Sequence, residues 1–247
     1  RPSWILFLPC WGLALWISAL IRKPASPASA ASTAMLSAAM LFGCAAVLLP
    51  WWIRNYAVTG TFVPTTLQTG ASLYDGLNPN ATGASDMRFV PEFEAQLQAE
   101  NGGRLPENWE LELDTRLRQA AVAWAAEHPA RALQLAAIKF ARMWSPFPNA
   151  QEFRGVGFSL LLAAGYLPLA AFAALGCWKL RSHGTWLFLW LAPLVYLAVL
   201  HAVFIGSIRY RQPALLALAL VAAAGVPGVR LREPVAPSSG LPGGPRP

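Results

Sequence analysis

Apolar positions are grouped, not spread, along this chain. Five apolar runs, at 4–21, 34–53, 156–178, 185–205 and 213–229, match or approach the length of about 20 residues that a helix needs to cross a bilayer core, and the last is the shortest. Trp51, Trp52, Trp178 and Trp186 stand at run ends, where interfacial aromatics collect. The pattern changes between the second and third runs. Residues 55–88 are rich in Gly, Thr, Asn, Pro and Tyr and read as loop with short extended pieces. Residues 91–100 read as a short helix stopped by Asn101-Gly102-Gly103. A second helix is predicted at 106–127, with Leu113, Leu117, Ala121 and Trp124 along one side. Pro129 breaks it, and a third runs over 130–144 to the stop at Ser145-Pro146. That third helix sets Leu133, Leu135, Ile138, Met143 and Trp144 against Arg131, Lys139 and Arg142. Two readings fit it: a helix lying in a membrane interface, or a core helix of an outer domain.

The expected fold is therefore mainly α: a polytopic helical membrane protein with about five transmembrane helices and a mixed, mostly helical extramembrane domain. Two transmembrane helices fall in 1–54, a polar outer domain in 55–155, and three helices in 156–230. The tail at 231–247, rich in Pro, Gly and Ser, reads as disordered. The chain opens on Arg-Pro, with no signal segment before the first run, and reads as a piece of a longer multi-span protein.

Composition agrees and adds one asymmetry. The chain is 55% hydrophobic and 13% charged, where soluble domains carry about 25% charge. Eleven of the 12 acidic residues lie between Asp75 and Glu152. The net charge of +7 comes from basic residues at the ends of apolar runs. No Lys/Arg stretch interleaved with aromatics is present, which excludes a nucleic-acid platform. Membrane lipids are the expected neighbours. Cys10, Cys44 and Cys177 all sit in apolar runs, and His128, His183 and His201 are far apart. No cofactor is evident. A divalent metal is possible, but no ligand set is identifiable.

Orientation is not decided by charge. With Arg22-Lys23, Lys179 and Arg181, Arg230, Arg232 and Arg246 inside, the inner face holds seven basic residues. The outer face then holds six: Arg1, Arg54, Arg142, Arg154, Arg209 and Arg211. That near-balance leaves an unusual load of arginine on the face of the polar domain.

The candidate chemistry lies on that face. Arg54-Asn55-Tyr56 emerges where the second run meets water, followed by Gly60, Phe62-Val63-Pro64, a Tyr74-Asp75-Gly76 segment and Asn78-Pro79. Near the other end stands Arg209-Tyr210-Arg211-Gln212-Pro213. Pro213 suits the first position of a helix, which would set both arginines beside a helix N-terminus, a favourable place for an anion. Guanidinium presents a planar fork to phosphate oxygens. Each arginine can equally snorkel to the interface without further function. Asp75 and Asp86 read as turn residues, and no carboxylate is placed as a general base.

Taken in order, Arg54-Asn55-Tyr56 after a span, Gly60-x-Phe62-Val63-Pro64, Tyr74-Asp75-Gly76-x-Asn78-Pro79, His128-Pro129, Trp144-Ser145-Pro146 and Arg209-Tyr210-Arg211-x-Pro213 resemble the C-terminal half of bacterial GT-C superfamily membrane glycosyltransferases. The closer likeness is to dolichyl-phosphate-mannose-protein mannosyltransferase-like proteins of family 39. The resemblance implies transfer of a sugar from a polyprenyl-phosphate donor to a protein, lipid or glycan acceptor at the periplasmic face of the inner membrane. It also implies a catalytic carboxylate in an earlier outer loop that this chain does not contain. The substrate-binding candidates are Arg54, Asn55, Tyr56, Tyr74, Asn78, Arg209, Tyr210 and Arg211, with no catalytic or metal residue assigned. Two other readings stand beside it: a transporter or flippase half handling an anionic lipid or glycan, and a non-catalytic assembly subunit.

Overall fold

The computed structural model describes residues 4–21 and 27–229. The expectations placed on Arg1-Pro2, Arg22-Lys23, Arg230 and the tail fall outside these residues, as does the side chain of Trp186. Among the described residues the chain is helical and contains no strand: α1 (Phe7–Ile21), α2 (Pro27–Thr59), α3 (Thr69–Gly76), α4 (Val90–Glu100), α5 (Trp109–Glu127), α6 (Pro129–Trp144), α7 (Val156–Leu180), α8 (Gly184–Val203) and α9 (Ile208–Gly225). Each of the five apolar runs becomes a helix. Two of them, over Ala31–Thr59 and Val156–Leu180, are long and apolar enough to cross a membrane, while α1 and α8 carry shorter apolar stretches at Phe7–Trp16 and Trp190–Val203. The two long helices are not the core of a globule: only 6% and 17% of their apolar windows is buried. Met35, Phe42 and Val47 on α2, and Leu160 and Leu161 on α7, face outward. A water-soluble domain ordinarily exposes such side chains singly, not along a whole helix.

The apolar helices associate through small residues and rings. α9 packs against α7, α8 and α6, around a core of Met143, Ala173, Leu194, Leu197, Ala214, Leu218 and Ala222. α7 and α9 approach at Gly176 and Gly225, where an added Cβ would lie 1.9 Å from the carbonyl oxygens of Val221 and Phe172 respectively. Small residues permit such a close approach of two helix backbones. Lys179 Nζ, at the end of α7, donates to the carbonyls of Gly225 (3.4 Å) and Val226 (3.0 Å) and so closes the C-terminal end of α9. α1 docks on α8 through aromatic rings, with Trp11 stacked on Phe188 at 5.6 Å and Phe7 edge-on to Tyr196 at 5.3 Å. α2 packs on α1.

The polar segment has a core of its own. Leu97, Leu113 and Leu117 are buried under Tyr74, Phe89, Phe93 and Trp109. Leu113, Leu117 and Ala121 fall on the buried side of α5, as their spacing requires, and Trp124 stacks on His128 at 5.3 Å. Two expectations are corrected here. Residues 55–88 form no strand, and part of the expected loop is helix: α2 runs on to Thr59, and Thr69–Gly76 is helical. α3 forms because Asp114 Oδ1 accepts the Gly70 N–H at 2.5 Å, a cap supplied from 44 residues away. Gly70 also lets the two backbones touch, since a Cβ there would lie 1.9 Å from the Asp114 carbonyl oxygen. Asp75 and Gly76 are thus the buried end of a helix, not an exposed turn. α6 joins the two halves. Leu135, Lys139 and Met143 are its buried residues, Met143 belongs to the core of the apolar helices, and Leu133 and Phe140 are left exposed.

Candidate functional site

The Trp51-Trp52-Ile53-Arg54-Asn55-Tyr56 segment is the last part of α2. Spacings of three and four residues put Trp51, Trp52 and Asn55 near one another on the helix surface. All three hold the following loop. Trp51 Nε1 donates to the Thr65 carbonyl (2.7 Å), Trp52 Nε1 to the Pro64 carbonyl (3.0 Å), and Asn55 Nδ2 to the Val63 carbonyl (2.9 Å). Asn55 is buried in that role, so its amide is spent on the fold. Arg54 points elsewhere. It is exposed, bonds among the described residues only to Asn55 Oδ1 at 3.3 Å, and lies 5.3 Å from the Trp51 ring. Tyr56 is exposed beside it.

Tyr74 and Asn78 belong to the inside of the polar domain. The Tyr74 ring meets Phe89 at 4.8 Å and Phe93 at 5.3 Å, both edge-on, and burial pushes its phenol pKa up. Asn78 is buried; its Nδ2 donates to the Tyr74 carbonyl (2.7 Å) and its Oδ1 accepts the Asn80 N–H (2.7 Å). It closes the end of α3.

The Arg209-Tyr210-Arg211 segment is corrected in placement. α9 begins at Ile208, so both arginines lie in its first turn and Pro213 lies inside the helix. The start is set from a distance: Ile208 N–H donates to Asn149 Oδ1 at 2.7 Å, which satisfies one of the free donors at a helix N-terminus. Two residues of helix separate the arginines by about 200° around the axis, so they face opposite ways. Arg209 is exposed, 4.9 Å from the Tyr210 ring centroid and bonded to Tyr210 Oη at 2.8 Å. Tyr210 stacks on His201 at 4.1 Å. Arg211 is only 5% exposed; Nη1 donates to the carbonyls of Met143 (3.2 Å) and Ser145 (2.6 Å), and the guanidinium lies 3.7 Å from the Tyr166 ring centroid. It caps the carbonyl end of α6, where a cation is favoured.

Of the eight candidates, then, Arg54, Tyr56 and Arg209 present themselves outward, and Tyr210 supports Arg209. Asn55, Tyr74, Asn78 and Arg211 are occupied by the protein. Arg54 and Arg209 lie on helices that pack with different partners, α2 with α1 and α9 with α6, α7 and α8.

The same junction holds polar groups that the sequence pattern hid. Lys139, one of the three basic residues noted on α6, is fully buried, and its Nζ donates to the Val203 carbonyl at 2.6 Å. Asp75, buried close by, accepts from Ser85 Oγ and the Asp86 N–H, each at 2.7 Å. Two glycines make room. A Cβ on Gly76 would sit 2.1 Å from the Phe204 carbonyl oxygen, and one on Gly206 would sit 2.2 Å from that of Lys139. The polar domain is thereby seated on the turn between α8 and α9. No signal in the local pattern separates Lys139 from Arg131, because burial of α6 depends on what covers it.

Lys139 makes the junction pH-sensitive. Burial lowers its pKa from 10.5 to about 8, against the opposing pull of Asp75. A folded pKa below the unfolded one means that the unfolded chain holds more protons between the two values, so stability rises with pH across that window. Below about pH 8 the cost of burying the cation is carried in full. The unfolding midpoint in neutral detergent is therefore expected to climb between pH 8 and 10.5, and Lys139→Met to abolish the climb. Superimposable profiles for the two proteins would contradict this assignment.

Among the described residues no group of three His, Cys, Asp or Glu side chains is placed to hold a metal ion. The fold and site define a helical chain with two helices fit to cross a membrane and a polar helical domain seated on the turn between α8 and α9. No family model, curated protein or solved structure matches it.

Proposed function

We propose that this chain is the C-terminal part of an integral-membrane glycosyltransferase of the GT-C type. It transfers a sugar from a polyprenyl-phosphate-linked donor to a protein, lipid or glycan acceptor at the periplasmic face of a bacterial inner membrane. In this reading α1, α2, α7, α8 and α9 all span. The 20 residues of α8 and 18 of α9 correspond to about 30 and 27 Å at 1.5 Å per residue, close to a hydrocarbon core.

The observation that carries the reading is the state of Arg54 and Arg209. Each is an exposed cation at the end of an apolar helix, and among the described residues neither is paired with a carboxylate. The ordered motifs that resemble the family supply the reaction. As the sugar–phosphate bond breaks, negative charge grows on the leaving polyprenyl phosphate. A guanidinium aimed at those oxygens stabilises that transition state more than the ground state. The acceptor hydroxyl would be deprotonated by a carboxylate outside this chain.

The full-length protein, reconstituted in nanodiscs with a polyprenyl-phosphate-linked hexose, tests this. Arg209→Ala is expected to lower transfer by about 100-fold while the unfolding midpoint stays in place. Transfer unaffected by the substitution, or absent from the unsubstituted protein with every polyprenyl-linked hexose supplied, would sink the proposal.

A further inference from the structure

A second cationic feature lies beside the start of α9, and neither Arg54 nor Arg209 lines it. A cleft of about 540 Å³ opens between the C-terminal half of α6 and the start of α7, lined by Ala141, Arg142, Phe147, Asn149, Arg154 and Ser159 among others. Its two arginines come from different elements, Arg142 from α6 and Arg154 from the segment just before α7. They repel each other, and among the described residues neither is paired with an acid. Burial lowers the Arg142 pKa first, and the facing Arg154 lowers it further. Arg142 bonds through Nε to the Gly206 carbonyl at 3.3 Å, which anchors the side chain and leaves both terminal nitrogens without a hydrogen-bond partner among the described residues. Arg154 is exposed, and among the described residues its guanidinium has no hydrogen-bond or ion-pair partner. Asn149 does not compete for the cleft. Its amide bridges the Arg142 carbonyl and the Ile208 N–H, fixing the α6–α9 corner around it.

Two like charges converging on a cleft without a counter-charge cost free energy unless an anion is present. Guanidinium favours oxyanions that accept two parallel hydrogen bonds, which phosphate does. The cleft is far larger than a bare phosphate needs, and Ile138, Phe147 and Pro148 give it an apolar wall. Immediately beyond it, Phe153 and Phe158 pair at 5.7 Å, and the outward apolar surface of α7 begins at Val156. A cationic cleft directly above an apolar helix surface fits a head-and-tail ligand.

We propose that Arg142 and Arg154 form a binding site for the phosphate of a phosphate ester, with its organic portion against Phe147 and the start of α7. The site uses neither Arg54 nor Arg209 and does not depend on the glycosyltransferase reading.

Titration of the full chain in an uncharged detergent separates the possible sources of the phosphate. The probes are inorganic phosphate and dihexanoyl phosphatidic acid, followed by isothermal calorimetry. Binding of the short-chain lipid is expected, weakened at least about tenfold by Arg154→Gln, the equivalent of one charge-assisted hydrogen bond. The Arg154 side chain is exposed and makes no bond among the described residues, so this substitution leaves the fold intact, as an unchanged unfolding midpoint will verify. The Arg142→Gln/Arg154→Gln double variant should abolish binding. Lipid binding without phosphate binding assigns the site to a membrane amphiphile; equal, arginine-dependent binding of both assigns it to free phosphate. Affinities unchanged in Arg154→Gln and in the double variant, or no binding of either probe, would overturn the proposal.

Discussion

Gly176→Leu is expected to part α7 from α9 and to lower stability by about 3 kcal/mol or more. The atom a side chain would strike there is backbone: a Cβ on Gly176 lies 1.9 Å from the Val221 carbonyl oxygen and 2.8 Å from its carbon. A flexible side chain could swing aside, but a helix backbone has to translate. Moving α9 outward loosens Ala173, Ala214, Leu218 and Ala222 together, since all four belong to the core between these helices. It also pulls Gly225 and Val226 from Lys179. Gly165→Ala is the matched control. It lies on the same helix, and an added Cβ meets nothing within 4 Å, so the gain in helix propensity of about 1 kcal/mol should leave the midpoint level or slightly higher. Thermal unfolding in detergent reads both. Equal midpoints for Gly176→Leu and Gly165→Ala would show that the close approach is not what holds the helices together.

Arg211→Ala is the second large effect, of about 3 kcal/mol, because two charge-assisted hydrogen bonds are lost, one buried and one part-buried. The carbonyls of Met143 and Ser145 lose a donor at the end of α6, and Tyr166 loses the cation over its ring. Arg211→Lys should not fully restore stability, since an ammonium lacks the planar face that lies on the Tyr166 ring while Nη1 donates to both carbonyls. This separates the two arginines of one short motif. Arg211→Ala should depress folding and transfer together, whereas Arg209→Ala should depress transfer alone. An unchanged midpoint for Arg211→Ala with lost transfer would return Arg211 to the ligand and contradict its structural role.

These two arginines also mark how far the local pattern reaches. Both are visible in the sequence as cations beside the last apolar run, and nothing local distinguishes them. Their difference arises because α9 starts at Ile208, and it starts there because Asn149, 59 residues earlier, caps it. α3 was missed for the same kind of reason. Gly, Ser and Asp have weak helix propensity, and a cap from Asp114 with packing on α5 overrides it. α4 and α6 were legible to within a residue, since Pro near their starts and Gly or Pro after their ends act on the backbone locally. Trp51 and Trp52 read in the sequence as interfacial aromatics and Asn55 as a ligand contact, whereas in the fold all three clasp the carbonyls of Val63, Pro64 and Thr65.

The sequence by itself determined the helical class, the five apolar helices, the polar block between them and the basic load at their ends. Each of these follows from hydrophobicity and charge summed over neighbouring residues. Only the tertiary structure decided which cations are free. Lys139 and Arg211 are buried on main-chain carbonyls, while Arg54, Arg209 and Arg154 are exposed. A cation's availability depends on the acceptors that distant segments bring to it, and glycines such as Gly76, Gly206 and Gly176 set how closely those segments can come.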